Sequence, residues 1–457
     1  MELFTLTIEE AINGLNKKEF SEKELFDSCL KRTKKINSKI NAFLTLIDYK
    51  DPQNEGKLRG IPVGLKDIYL TKNIITTAGS NLLNNYIPQY NATSVDRLTN
   101  SGTVILGKTN LDAWAHGSSG ENSDFGVTKN PWDEKYVSGG SSSGSAAAVA
   151  SDMCLMATGT DTGGSIRLPA SFCNIVGLKP TYGRVSRYGI IAMASSLDSI
   201  GHFTKTVYDS ALVLNITAGK DPKDATTSSL EVPDYTKNIK KGVKGLKVGI
   251  PKEYFAKGID KKIENLVLKA IKKIEDLKAE IVEISLPNLE YALAVYYILQ
   301  PSEVSSNLAR YDGIRYGENR SSFGKEAKRR IMLGTYTLSA GYYEAYYLKA
   351  MKVRTLLKND FDNAFKKVDV IIAPTSPNLP FKIGEKINDP LSMYLSDIYT
   401  VTMNLAGVPA ISIPCGFVNN LPVGMQIIGP HFKEELLFQV GFAYEQEMKW
   451  NKYKPKI

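Results

Sequence analysis

Before Gly60 the chain reads as helix. Thr7-Ile8-Glu9-Glu10 and Ser21-Glu22-Lys23-Glu24 each place a hydroxyl residue three positions ahead of a glutamate, the spacing of a reciprocal helix cap. After the second signal Leu25, Cys29 and Arg32 share one face, and Leu25, Phe26 and Leu30 supply an apolar stripe. From Gly60 the texture changes. Short β-branched segments at 61–70, 103–106, 248–250, 281–286, 368–373, 410–414 and 423–428 predict strands. Helical patterns lie between several of them, the clearest being Ile263, Leu266, Val267, Ala270, Ile274 and Leu277. Strands alternating with helices predict an α/β layered fold around a largely buried sheet. Residues 221–247 are polar and glycine-bearing and read as a long surface connection, with the lysine-dense 237–247 as a solvated linker. The stretch beyond, to 367, is rich in Tyr and Lys and more helical. The expected organisation is one domain over 1–457 with a helical insertion at about 251–367.

Composition narrows the classes. At 457 residues with 43% hydrophobic side chains, the chain can bury a large core. No apolar run approaches the ~20 residues that cross a bilayer. The opening Met1-Glu2-Leu3-Phe4-Thr5-Leu6 has no basic run leading into an apolar one, so a secretory signal is not expected and a cytoplasmic location is. Cys29, Cys154, Cys173 and Cys415 show no CxxC spacing and fit reduced, buried thiols rather than disulfides or zinc. The net charge of +9 arises from lysines spread along the chain, which reads as a solvated surface more readily than as a polyanion site. Only His116, His202 and His431 are available, and none sits at metal-ligand spacing; no metal site is expected.

Gly102-Thr103-Val104-Ile105-Leu106-Gly107-Lys108-Thr109 matches GxxxxGK[ST]. Its four intervening residues read as the strand itself, and a strand cannot also wrap phosphate with its N–H groups. The match is therefore taken as accidental.

Residues 138–167 carry the candidate chemistry. Ser138-Gly139-Gly140-Ser141-Ser142-Ser143-Gly144-Ser145 feeds an alanine-rich helix, and Gly159-Thr160-Asp161-Thr162-Gly163-Gly164-Ser165-Ile166-Arg167 follows an apolar run. Two glycines before a serine let the backbone turn sharply and aim successive N–H groups at one point. Such a nest can hold the oxyanion of acyl transfer beside a serine nucleophile; an anion-binding loop without catalysis fits the same residues equally. With histidine scarce, a lysine of lowered pKa is the alternative base. Lys66 stands in the apolar Ile61-Pro62-Val63-Gly64-Leu65-Lys66-Asp67-Ile68, although on these residues alone a strand-end lysine paired with Asp67 is the favoured reading.

Gly139-Gly140-Ser141-Ser142-Ser143-Gly144-Ser145 together with Gly163-Gly164-Ser165-Ile166-Arg167 resembles the amidase signature family, and the likeness runs from the N-terminal helices to about Gln446. The resemblance implies one α/β fold, a mixed twisted β-sheet covered by helices on both faces, and a Ser–Ser–Lys triad. It makes Ser165 the nucleophile, Ser141 the bridging serine behind a cis peptide bond, and Lys66 the base. The N–H groups of Thr162, Gly163, Gly164 and Ser165 would form the oxyanion hole. Arg167 pairing with Asp161 would brace the nucleophile turn.

Gly177-Leu178-Lys179-Pro180-Thr181-Tyr182-Gly183-Arg184, Lys328-Arg329-Arg330-Ile331 and Asn404-Leu405-Ala406-Gly407-Val408-Pro409 resemble one branch of that family, the A subunits of aspartyl/glutamyl-tRNA amidotransferases. That branch implies a glutaminase working with B and C subunits. The B subunit would use ATP and Mg on misacylated tRNA, while the glutaminase itself would need no cofactor. Arg330 would face the α-carboxylate of glutamine and Asp397 its α-ammonium, with Tyr296 lining the pocket. The rival readings are a stand-alone amidase and a non-catalytic assembly subunit. The chain departs from the family pattern at Ser143, usually glycine, at His116, commonly methionine, and in a shortened stretch between Tyr316 and Phe323.

Overall fold

The computed structural model describes residues 2–255, 258–314 and 317–457. Tyr316, which opens the shortened stretch, lies outside them. Both N-terminal caps form as the sequence predicts. Thr7 and Glu10 close a reciprocal cap on helix Ile8–Asn16, and Ser21 and Glu24 do so on helix Glu22–Ile40. Leu25, Phe26 and Cys29 of the second helix are buried.

Among the described residues, eleven strands form one mixed sheet. Its order across the sheet is Phe43–Leu46, Val104–Thr109, Pro62–Lys66, Met156–Asp161, Ser199–Thr204, Val176–Lys179, Ala410–Val418, Leu421–Ile428, Val370–Pro374, Lys247–Pro251 and Glu280–Ile284. Pro62–Lys66 runs parallel to both of its neighbours, while Met156–Asp161 pairs antiparallel with Ser199–Thr204. Met156–Asp161, Ser199–Thr204, Leu421–Ile428 and Val370–Pro374 are buried along their whole length. Because alternate side chains point to opposite faces of a strand, both faces of the sheet are covered.

The predicted strands are present with shifted ends. The segment expected at 61–70 stops at Lys66, because the chain turns back there: Ile68 N–H and Tyr69 N–H both donate to the Lys66 carbonyl, at 2.7 and 3.0 Å. The GxxxxGKT match lies in strand Val104–Thr109, and Lys108 is buried against Asp67 at 3.2 Å, as the strand reading required. The expected insertion is not purely helical. Lys247–Pro251 and Glu280–Ile284 add two parallel strands to the sheet edge, and helices Lys261–Asp276, Ala292–Asn307, Lys325–Thr337 and Lys349–Ala364 accompany them. The 221–247 connection contains no strand or helix before Lys247, yet it is not a free linker: Tyr235, Ile239 and Val243 insert into the core while the intervening lysines stay exposed.

All four cysteines are buried and unpaired. No helix among the described residues is long and apolar enough to cross a membrane, and no group of three or more His, Cys, Asp or Glu side chains is placed to hold a metal ion.

Candidate active site

The site gathers where the neighbouring parallel strands Pro62–Lys66 and Met156–Asp161 end, since chain leaving the carboxyl ends of adjacent parallel strands opens a crevice there. Lys66 is the last residue of its strand, and its N–H donates to Thr158 Oγ1 at 2.9 Å. Its side chain is fully buried. Nζ lies within hydrogen-bond distance of Thr160 Oγ1 at 2.8 Å and of Ser141 Oγ and Ser142 Oγ at 2.9 Å each. The pairing with Asp67 favoured by the residues alone does not form: Asp67 is taken by Lys108 and by the Thr77 N–H. Burial lowers the Lys66 amine from 10.5 to about 7, against the opposing pull of Asp112, Asp161 and Asp198. An amine near neutrality can accept the Ser141 proton, which an ordinary lysine at pH 7 cannot.

Ser141 follows a cis peptide bond after Gly140, and Ser141 and Ser142 immediately precede helix Ser143–Ala150. Ser165 lies in the turn between strand Met156–Asp161 and helix Arg167–Cys173. It is the partly exposed residue of that otherwise buried turn. Its carbonyl accepts the Ser142 N–H at 3.2 Å, tying the two serine segments together. Among the described residues, no hydrogen bond links Ser165 Oγ to Ser141 Oγ.

The turn that carries Ser165 is wound around one carboxylate. Asp161 accepts the N–H groups of Gly164 at 2.8 Å and Ile166 at 3.2 Å, together with Arg167 Nε at 3.0 Å and a terminal Arg167 nitrogen at 2.9 Å. The buried Arg167 guanidinium holds the Asp161 carboxyl down at about 2 despite its burial. Arg167 also donates to the Thr400 carbonyl and to Asn404 Oδ1, fixing the turn to helix Val401–Ala406. The expected pairing of Arg167 with Asp161 is therefore present. The expected donor set needs one correction: Gly164 N–H is spent on Asp161 and does not face outward. Among the described residues, the N–H groups of Thr162, Gly163 and Ser165 donate to no protein acceptor. Gly164 has φ +135°, and an added Cβ would stand 2.3 Å from Thr400 Oγ1, so only glycine fits there.

Arg330, Asp397 and Tyr296 come together through a residue the sequence reading did not single out. Tyr297 OH donates to Asp397 Oδ2 at 2.8 Å, and the Arg330 guanidinium lies over the Tyr297 ring at 4.6 Å. Ser118 Oγ contacts both Asp397 oxygens, at 2.8 and 2.9 Å. Both charges are buried, at 4% exposure for Arg330 and 6% for Asp397, unlike the exposed Lys328 and Arg329 beside Arg330. Arg330 is partly matched by Glu326 at 2.7 Å and Gln300 Oε1 at 2.8 Å. Burial pushes the Asp397 carboxyl up to about 6, opposed by the Ser118 and Tyr297 hydroxyls and by Arg330. Close helix packing sets these positions: a Cβ at Gly334 would stand 1.8 Å from the Pro301 carbonyl, so helix Lys325–Thr337, bearing Arg330, lies directly on helix Ala292–Asn307, bearing Tyr296 and Tyr297. Tyr296 in turn packs on the turn that carries Ser165, where a Cβ on Gly163 would meet its ring at 2.6 Å. A cleft of about 370 Å3 opens beside the cluster, lined by Gly117, Ser118, Glu326, Arg330, Lys386 and Tyr394.

The site residues not anticipated are Ser118, Ser142, Thr160 and Tyr297. Ser142 adjoins Ser141 and Thr160 adjoins Asp161, so the serine–glycine segments held the only signal for two of them. The histidines are elsewhere engaged or isolated. His202 bonds Ser210, His431 bonds the Ala406 carbonyl, and both ring nitrogens of buried His116 lack a partner among the described residues.

The family described as Amidase matches residues 24–438 of the chain. The A subunit of glutamyl-tRNA(Gln) amidotransferase from Caldanaerobacter subterraneus subsp. tengcongensis is 56% identical over 478 residues, covering 99% of this chain and 98% of that protein. The protein of the same name from Thermodesulfovibrio yellowstonii is 54% identical over 484 residues, covering 100% of both. Among solved structures, the glutamyl-tRNA(Gln) amidotransferase A subunit of Thermotoga maritima matches with a TM-score of 0.88 at 45% identity, over 98% of this chain and 95% of that one. The native peptide amidase of Stenotrophomonas maltophilia matches with a TM-score of 0.82 at 28% identity, over 98% of each chain.

Proposed function

Since the chain belongs to the amidase family, we infer that it is the glutaminase subunit of a glutamyl-tRNA(Gln)/aspartyl-tRNA(Asn) amidotransferase, hydrolysing glutamine and supplying ammonia for transamidation of misacylated tRNA. The observation that carries the chemistry is the Lys66 amine, sealed from water and lowered to about 7, in contact with Ser141.

In this reading neutral Lys66 takes the Ser141 proton while Ser141 takes that of Ser165. The Ser165 Oγ lone pair attacks the carboxamide carbon of glutamine, and the carbonyl π electrons move to oxygen. The N–H groups of Thr162, Gly163 and Ser165 face that oxyanion in a water-poor turn. On collapse the C–N bond breaks, the proton returns through Ser141 to the leaving nitrogen, and ammonia departs from a γ-glutamyl ester on Ser165. Water gives a proton to the same relay as its oxygen attacks the ester carbon; the C–O bond to Ser165 then breaks, the proton returns to Ser165 Oγ, and glutamate leaves. Arg330 faces the substrate α-carboxylate, Asp397 its α-ammonium, and Tyr296 walls the pocket on the side of the nucleophile turn. An apolar amide would leave the buried Arg330 and Asp397 charges without substrate partners, which disfavours a general amidase.

Partner B and C subunits would take the ammonia forward, with ATP and Mg used on the B side. A concentration of exposed apolar side chains supports a docking role. Met332, Leu333, Tyr336, Tyr342, Tyr343 and Tyr346 are all exposed on and after helix Lys325–Thr337, whose buried side carries Arg330.

The test is amidation of misacylated tRNA by the co-expressed complex, with wild type and Ser165→Ala compared on glutamine and on ammonium chloride. Wild type should use both nitrogen sources, and Ser165→Ala only ammonium. If Ser165→Ala still uses glutamine, the chain is a non-catalytic assembly subunit. If the folded wild-type complex leaves glutamine intact but the chain cleaves other amides, it is a stand-alone amidase.

A further inference from the structure

Asp112 is fully buried and lies between the two halves of the site. Its N–H donates to the Ser141 carbonyl at 3.1 Å. Its carboxylate accepts the Gly120 N–H at 3.0 Å and the Asn122 N–H at 2.9 Å, closing the turn that presents Ser118 to Asp397. Gly140 N–H, one residue before Ser141, donates to the Ser118 carbonyl at 2.9 Å and completes the link. Two glycines exist to make room for this carboxylate. A Cβ on Gly140 would stand 2.0 Å from Asp112 Oδ2, and one on Gly117 would stand 2.5 Å from Asp112 Cγ. Both carboxylate oxygens accept from N–H donors, an arrangement that suits the ionised form.

The charge has a second consequence. Asp112, Asp161 and Asp198 each raise the pKa of the Lys66 amine against the effect of its burial, Asp112 the most. Asp161 is matched by Arg167, and Asp198 accepts the Thr162 hydroxyl and the Met193 and Ala194 N–H groups. Asp112 has no ion-pair partner among the described residues. Burial pushes the Asp112 carboxyl up to about 7, and neighbouring Glu121 adds to that rise.

We propose that Asp112 is a positioning residue for the hydrolysis, fixing Ser141 relative to the Ser118–Asp397 arm that receives the substrate ammonium. The inference rests on the glutaminase reading above.

Asp112→Asn removes the charge and turns one accepting oxygen into an NH2 group that faces an N–H donor. Asp112→Glu keeps the charge but displaces the oxygens that accept the Gly120 and Asn122 N–H groups. Both are measured in the co-expressed complex by glutamine-dependent ammonia release across pH. Removing an anion lowers the Lys66 pKa, so the acid limb of kcat in Asp112→Asn should move to lower pH by roughly half a unit or more, while KM for glutamine rises about tenfold. Asp112→Glu should keep the wild-type limb and share the raised KM. An unchanged KM for glutamine in folded Asp112→Asn or in Asp112→Glu overturns the proposal. If Asp112→Asn does not fold, Asp112→Glu decides: a raised KM supports the proposal, and an unchanged one refutes it. Ser165→Ala separates the two levels. A variant still releasing ammonia means that the glutaminase reading has failed, whereas an inert one beside a wild-type-like Asp112→Asn means that only Asp112 was misassigned.

Discussion

Replacing Lys66 with methionine should abolish glutamine hydrolysis and yet make the folded chain more stable at neutral pH. The amine is fully enclosed, and its pKa falls from 10.5 to about 7 because burial disfavours the ammonium. The folded value lies below the unfolded one. Between those values the unfolded chain holds a proton that the folded chain has released, so wild-type stability rises with pH across that window. At pH 7 the difference amounts to about 4 kcal/mol against folding, at roughly 1.4 kcal/mol per pH unit, and by pH 9 it has shrunk to about 2 kcal/mol. Methionine carries no proton, but it leaves the Ser141, Ser142 and Thr160 hydroxyls without the amine, at about 1 kcal/mol each unless they bond one another. The net expectation is a gain of about 1–3 kcal/mol at pH 7 that falls by about 2 kcal/mol at pH 9. Loss of the base should lower kcat by about 10³-fold or more. Urea unfolding of both proteins at pH 7, 8 and 9, followed by tryptophan fluorescence, measures the gap. A Lys66→Met protein less stable than wild type at pH 7, with a gap that does not change with pH, would refute the reasoning, because the ammonium would then be stabilised where it sits.

Two further substitutions probe the turn that carries Ser165. Gly164→Ala, at φ +135° and with its Cβ 2.3 Å from Thr400 Oγ1, should lower kcat by about 10²-fold or more with little change in glutamine affinity, measured by steady-state kinetics and direct binding. Arg167→Lys keeps the charge but loses the two-nitrogen grip on Asp161 and the bonds to Thr400 and Asn404; it should destabilise the fold by about 3 kcal/mol in denaturant titration and depress kcat at every pH.

The sequence made the outer frame of this structure readable. The two capping boxes, the helix at 261–276 and the strands rich in β-branched residues all carry periodic signals that local physics enforces. The centre of the sheet was less legible. Met156–Asp161, Val176–Lys179 and Ser199–Thr204 hold glycine, serine, threonine, lysine and histidine where a buried strand is expected to be apolar, because helices and the site pack closely on them. The candidate site divides in the same way. Ser141 and Ser165 stand in segments whose glycines and serines are locally unusual, whereas Lys66 was favoured as the base only by the family resemblance. Thr160, Ser142, Ser118 and Tyr297 are common residue types whose roles arise from contacts between segments up to 279 positions apart. Gly164 N–H illustrates the remaining gap: a glycine-rich turn announces a nest of donors, but only the fold reveals that Asp161 consumes one of them.

The most direct test of Ser165 as nucleophile is to catch the acyl-enzyme. The co-expressed complex is mixed with glutamine, quenched in acid during steady-state turnover, digested and mapped by mass spectrometry. A glutamyl ester confined to the peptide bearing Ser165, absent after alkaline hydrolysis and absent from Ser165→Ala, is the expected result. A glutamyl adduct on a different side chain, or undiminished ammonia release by Ser165→Ala, would contradict the mechanism.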